Sequence, residues 1–195
     1  MLVVTGPSGV GKGTLIRALR ERFPGLELSV SATTRPQRPG EVDGRDYWFL
    51  SPEEFERRVA EDAFLEHATY AGNRYGTPRS EIERAARPAS DDSAAEVTGL
   101  VLEIEVEGAR QVRTALPEAV QVFVAPPSLE ALRARLEGRG SDSPRQVEER
   151  LEVARRELGA RDEFEHVIVN DRLERAAEEL AELVARVWGP PAKGT

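Results

Sequence analysis

The segment Gly6 to Leu15, GPSGVGKGTL, holds the residues best suited to chemistry. It nearly matches the phosphate-binding pattern G-x-x-x-x-G-K-[ST], with Gly6, Gly11 and Lys12 in register. Pro7, Ser8, Gly9 and Val10 fill the loop. Gly13 stands where a hydroxyl residue belongs, and Thr14 follows it. A glycine-rich turn between a strand and a helix aims backbone N–H groups and the positive end of a helix dipole at one point, where a polyphosphate fits. Lys12 is positioned for the β- and γ-phosphates. A magnesium ion would then take an inner-sphere oxygen from Thr14, or be held mostly by water and phosphates.

Composition makes Lys12 stand out. Of 27 basic residues, only Lys12 and Lys193 are lysine. The arginine bias fits a GC-rich genome, and a lysine kept in the body of such a chain points to a need for a compact ammonium. The net charge of -8 argues against a general nucleic-acid binder. The chain has no cysteine, which excludes disulfides, thiolate zinc sites and a cysteine nucleophile and suits a reducing cytoplasm. The opening MLVVTG lacks the basic segment of a signal peptide, and no apolar run approaches the roughly 20 residues of a membrane span. A cytoplasmic protein is expected.

The elements that must carry the loop alternate. Leu2 to Thr5, Val101 to Val106, Val120 to Ala125 and His166 to Val169 read as buried strands. Helical spacing runs over Lys12 to Phe23, Ser128 to Glu137, Pro144 to Leu158 and Leu173 to Trp188, with Ser128 and Ser143 as N-caps. The alternation predicts an α/β fold with a parallel sheet flanked by helices. Residues 31–80 break it. Short strand-like pieces (Tyr47 to Leu50, Ala68 to Tyr70), a turn at Asp43-Gly44 and a helix near Pro52 to Asp62 read as a small α+β insertion. Residues 86–99 are small, polar and acidic and read as a flexible loop; 190–195 read as a disordered tail. His67 and His166 read as structural.

The segments SVSATTRPQRPGEVDGRDYWFL (29–50), DAFLEHA (62–68) and GNRYGTP (72–78) extend the pattern, as do VLEIEVEGA, VAPPS, RLEGRG and VIVND further on. Together with the loop, they resemble guanylate kinase, which moves a phosphoryl group from ATP to GMP. The resemblance runs from the first strand to the last helix. It implies a P-loop core (1–30, 81–133, 151–189), a GMP-binding insertion (31–80) and a mobile lid (134–150). Ser31, Arg35, Arg38, Tyr47 and Tyr75 would hold the GMP phosphate, and Glu66, Gly76, Thr77 and Glu105 would line the guanine site. Arg135, Arg139 and Arg150 would reach the ATP and the transferring phosphate, with Asn170 near the adenine end. ATP and GMP are the implied partners, Mg²⁺ the implied cofactor, and a monomer or homodimer the implied state.

Chemistry agrees with these roles. Arg35 and Arg38 sit three apart in a proline-stiffened turn, so both forks can meet one dianionic phosphate. Guanine offers N1–H and a 2-amino group as adjacent donors, for which a carboxylate such as Glu66 is the natural acceptor pair; adenine lacks that edge. The acceptor phosphate is already anionic, so transfer needs positioning and cations (Lys12, Arg38, Arg135, Arg139, Arg150) rather than a general base. The chain departs from the family at Glu105, where aspartate is more common, and in a longer loop before that strand. Two other readings remain: a catalytically silent guanylate-kinase-like binding module, and a related kinase acting on ribose 1,5-bisphosphate.

Overall fold

The computed structural model describes residues 1–70, 72–86, 99–138 and 143–189. Its centre is a five-stranded sheet in the order β2-β7-β1-β8-β9. The strands are β1 (Leu2–Thr5), β2 (Leu26–Leu28), β7 (Gly99–Glu103), β8 (Val120–Ala125) and β9 (His166–Val169), and every pairing is parallel. Strand β1 lies in the middle and is wholly buried, which is why LVVT carries no polar alternation.

Helices α1 (Lys12–Arg22) and α7 (Leu173–Trp188) share one core with Leu2, Val4 and Val122. On α7 the apolar stripe Ala176, Ala177, Leu180, Ala181, Val184 makes that contact. Helix α4 (Val106–Ala115) places Val106, Ala109 and Val112 in a second core with Val3, Leu102 and Phe123. The parallel sheet is thus flanked by helices, as alternation predicted. Helices α5 (Leu129–Glu137) and α6 (Pro144–Leu158) pack through Leu132, Leu136, Val147 and Leu151. Ser128 caps α5 by accepting from the Ala131 N–H at 3.1 Å, and Ser143 forms a reciprocal capping box with Gln146 at the start of α6.

A second, four-stranded sheet is built from β3 (Ala32–Thr33), β4 (Trp48–Phe49), β5 (Phe64–Tyr70) and β6 (Asn73–Pro78), in the order β4-β3-β6-β5. Helix α2 (Pro52–Ala60) covers it, with Phe55 stacked on Phe64 at 4.5 Å. A short helix α3 (Arg79–Ala85) leads back toward the large sheet.

Two sequence readings need correction. The strand read over Val101 to Val106 ends at Glu103, and Val106 already belongs to α4. The apolar alternation runs on because Ile104 and Val106 are buried, but they serve the turn and the helix. Strand β5 begins at Phe64, not Ala68. The reading of 86–99 as flexible and of 190–195 as a tail falls outside the described residues, apart from Ala86, which closes α3, and Gly99, which opens β7. Among the described residues no helix is long and apolar enough to cross a membrane.

Candidate active site

The loop after β1 is shaped by three glycines with positive φ, Gly6 (+132°), Gly9 (+87°) and Gly11 (+101°). At Gly6 a side chain would collide with the backbone carbonyl of Val124 on β8; at Gly11 a Cβ would sit 2.6 Å from the Asn170 amide nitrogen. Glycine is therefore imposed by the close crossing of the loop over the ends of β8 and β9. Lys12 opens α1 and is buried. Its ammonium donates to the carbonyls of Gly6 at 2.6 Å and Pro7 at 3.4 Å, so the loop already holds the charge beneath the point where its N–H groups converge.

Asn170 and Arg135 grip the loop from outside. The Val10 carbonyl accepts from Asn170 Nδ2 at 2.8 Å and from the Arg135 guanidinium at 3.2 Å, and Arg135 also donates to the Asn170 carbonyl at 2.7 Å. Thr14 lines the cleft. A Cβ at Gly13 would lie 3.3 Å from a carboxylate oxygen of Glu103, so the missing hydroxyl residue leaves room for that carboxylate.

The loop forms one wall of a cleft of about 430 Å³. The opposite wall brings together Ser31, Arg35, Arg38, Tyr47, Tyr75 and Gly76. Arg35 lies 5.2 Å from the Tyr47 ring and pairs with both oxygens of Glu41, at 2.8 and 3.1 Å. Glu41 also accepts from the Arg38 backbone N–H at 2.7 Å. The Arg35 hydrogen bonds hold the Glu41 carboxyl below its ordinary pKa. Glu41 thus fixes the fork of Arg35 in the cleft wall. Burial pushes the Tyr47 hydroxyl up to about 12, with Glu103 adding to it, so Tyr47 keeps its proton and can donate.

Glu66 lies deep in the cleft, 4% exposed, and accepts from the Thr77 hydroxyl at 2.7 Å. Burial pushes its carboxyl up to about 7, against the Thr77 hydrogen bonds and with help from Glu105. Its other oxygen rests on Gly108 of α4, where a Cβ would overlap the carboxylate. Alanine is favoured over glycine within a helix by about 1 kcal/mol. Gly108→Ala is therefore expected to preserve the melting temperature while shifting Glu66, weakening about tenfold the binding of a ligand held by that carboxylate, on the scale of one hydrogen bond to a charged group, and leaving binding at the Lys12 loop unchanged. Unchanged binding at both places in a calorimetric titration would show that Gly108 does not set the Glu66 position.

Between the walls stand Ser8, Tyr70, Glu105 and Arg150. Tyr70 of the small sheet and Ser8 of the loop line the cleft together. Arg139 lies outside the described residues. Glu41, Tyr70, Glu103 and Gly108 are site residues that the sequence reading passed over. Glu41 carried a signal, as an acid beside two arginines meant for one anion. The other three owe their place to contacts across elements. His67 packs away from this chemistry, its ring nitrogen 3.3 Å from Arg74 and its backbone N–H bonded to Gln111.

The cleft is therefore bipolar. Lys12, Arg35, Arg38 and Arg150 suit phosphates, and buried Glu66 suits an adjacent pair of N–H donors. The model of the guanylate kinase family matches residues 1–187. The chain belongs to the guanylate kinase family. It is 53% identical to a guanylate kinase of Gloeobacter violaceus over 185 residues, covering 94% of this chain and 86% of that one. It is 52% identical to one from Rubrobacter xylanophilus, covering 96% and 94%. A crystal structure of guanylate kinase from Anaplasma phagocytophilum superposes with a TM-score of 0.74 at 30% identity, covering 96% of this chain and 86% of that one. A gluconokinase from Sinorhizobium meliloti, at 21% identity and a TM-score of 0.52, shares the fold.

Proposed function

We propose that this chain transfers the γ-phosphoryl group of ATP to GMP, giving ADP and GDP. The observation that carries this reading is a single cleft lined by both the Lys12 loop and the buried Glu66 carboxylate. The loop of Gly6 to Thr14, gripped by Asn170 and Arg135, takes the ATP phosphates. Ser31, Arg35, Arg38, Tyr47 and Tyr75 take the GMP phosphate, and Glu66, with Gly76, Thr77 and Glu105, takes guanine.

The attacking group is an anionic phosphate oxygen, so the protein's work is to hold two anions in line and balance the charge that spreads during transfer. Lys12 acts from below the loop. Arg38, Arg135, Arg139 and Arg150 act from the facing wall and from the 134–150 segment, which we assign as a lid over the core (1–30, 81–133, 151–189) and the 31–80 insertion. Closure of that lid keeps water from the γ-phosphate.

The donor set around the loop fits Mg²⁺. The Thr14 hydroxyl borders the cleft, and among the described residues no cluster of three or more His, Cys, Asp or Glu could hold a metal. Thr14 would hold the ion, with nucleotide phosphates and water completing its shell, as they commonly do for magnesium. Bound there, it would neutralise phosphate charge. Cytoplasmic action as a monomer or homodimer completes the reading, in keeping with a chain without cysteine. By resemblance to the family, dGMP is expected to serve as well.

A coupled assay of ADP formation with GMP, AMP, CMP and UMP tests this. GMP is expected to exceed AMP in kcat/KM by a factor on the order of 10⁴, because adenine leaves Glu66 unpaired. Equal turnover of AMP and GMP would remove the guanine reading. No turnover with any acceptor would make the chain a silent binding module.

A further inference from the structure

Glu157 lies near the end of α6, on the far side of Glu105 from Glu66 in sequence and outside every motif noted above. Its carboxyl is in hydrogen-bonding contact with that of Glu105, in the turn between β7 and α4. One oxygen of each, Oε2 in both residues, is buried with no donor in reach. Two ionised carboxylates in contact would repel, and each would leave an acceptor unsatisfied. A single proton shared between them removes the repulsion and supplies the missing donor.

The groups acting on Glu157 come from three elements. They are Glu105 from the β7–α4 turn, Lys12 from α1 and Arg156 from α6 itself. Tyr70 of β5 senses both glutamates and Arg150. Burial and Glu105 raise the Glu157 carboxyl to about 8, outweighing Lys12 and Arg156. The proton is therefore present through neutrality. Glu105 acts on Glu66 as well as on Glu157. Its side chain is one methylene longer than aspartate and has more freedom to swing.

We infer that Glu157 is a positioning residue for GMP recognition, donating a hydrogen bond to Glu105 that holds this carboxylate toward the base. The inference rests on the assignment of Glu105 to the guanine half of the cleft. It explains how a glutamate serves there, because the extra reach is fixed by a residue near the end of α6.

The test follows KM for GMP across pH 6 to 9 in wild type, Glu157→Gln, Glu157→Leu and Glu105→Ala. Wild type is expected to lose GMP affinity as pH rises through about 8, when the shared proton leaves. Glu157→Gln keeps a permanent donor of the same shape and should abolish that alkaline limb. Glu157→Leu should raise KM for GMP about tenfold below about pH 8, the loss of one hydrogen bond to a charged group, and converge on wild type above it, with kcat and KM for ATP within about twofold. An alkaline limb unchanged in Glu157→Gln overturns the inference even if the leucine variant does not fold. Glu105→Ala separates the two claims. If it leaves KM for GMP unchanged, the assignment of Glu105 fails and the inference with it. If it raises KM while Glu157→Leu does not, only the positioning role fails.

Discussion

Lys12→Ala is expected to lower kcat by about 10³-fold or more, the scale seen when one preorganised donor to a developing charge is removed. Lys12 is 7% exposed, and its ammonium is already anchored to the Gly6 and Pro7 carbonyls. It thus meets the phosphates without reorganising, and no other lysine lies within the described residues to replace it. The fold should survive, because the loop is also fixed by Asn170 and Arg135 at Val10 and by the conformations of its glycines. Lys12→Arg should not rescue activity, since a guanidinium cannot occupy the small space between those carbonyls. Thermal melting together with single-turnover transfer decides the matter. Activity retained within tenfold, in a variant that melts like wild type, would remove Lys12 from the mechanism.

Glu66→Gln carries the second large effect. The amide keeps the shape and the Thr77 contact but loses the charge, and one of its two ends becomes a donor facing guanine's donors. KM for GMP should rise about 100-fold, on the order of the 1.5–3 kcal/mol of a hydrogen bond to a charged group, while KM for ATP stays within about threefold. Equal losses for both substrates would count against the assignment.

The pH behaviour of Glu66 supplies an independent check. Its folded pKa of about 7 lies above the ordinary 4.5, so the folded state favours the proton. The associated stability is complete below the ordinary value and is lost as pH rises through about 7. A guanine held by Glu66 would need the ionised form. GMP binding should therefore tighten from pH 6 to about 7, below the range in which the Glu157 proton leaves, while the empty protein grows less stable, and the tightening should vanish in Glu66→Gln. Melting curves and GMP titrations over that range measure them.

The large sheet was legible because each strand is a short apolar run, and each helix from 129 onward is marked by a serine cap or an apolar stripe. The small sheet was legible only in part, for a chemical reason. Strands β5 and β6 carry Glu66, Thr77 and Tyr75, so the residues that serve the cleft break the alternation that identifies a strand. The boundary at Glu103 was hidden in the same way, since Ile104 and Val106 continue an apolar rhythm for a different element. In the site, Lys12 could be found because local spacing defines it, and Arg35 because its TTRPQRPGE context resembles the family. Gly108 and Glu157 could not. One looks like a weak point in a helix and the other like one acid among many on a charged helix, and only their neighbours across the fold give them meaning.

The grip on Val10 links distant times as well as distant residues. Its carbonyl is held by Arg135 and by Asn170, 125 and 160 positions later. A chain growing from its N-terminus makes the glycine loop almost at once but cannot clamp it until β9 has emerged and docked beside β8. Such a contact closes nearly the whole polypeptide and is among the last that folding can reward. Competence to hold ATP is thereby tied to completion of the sheet, and an unfinished chain carries the motif without the site.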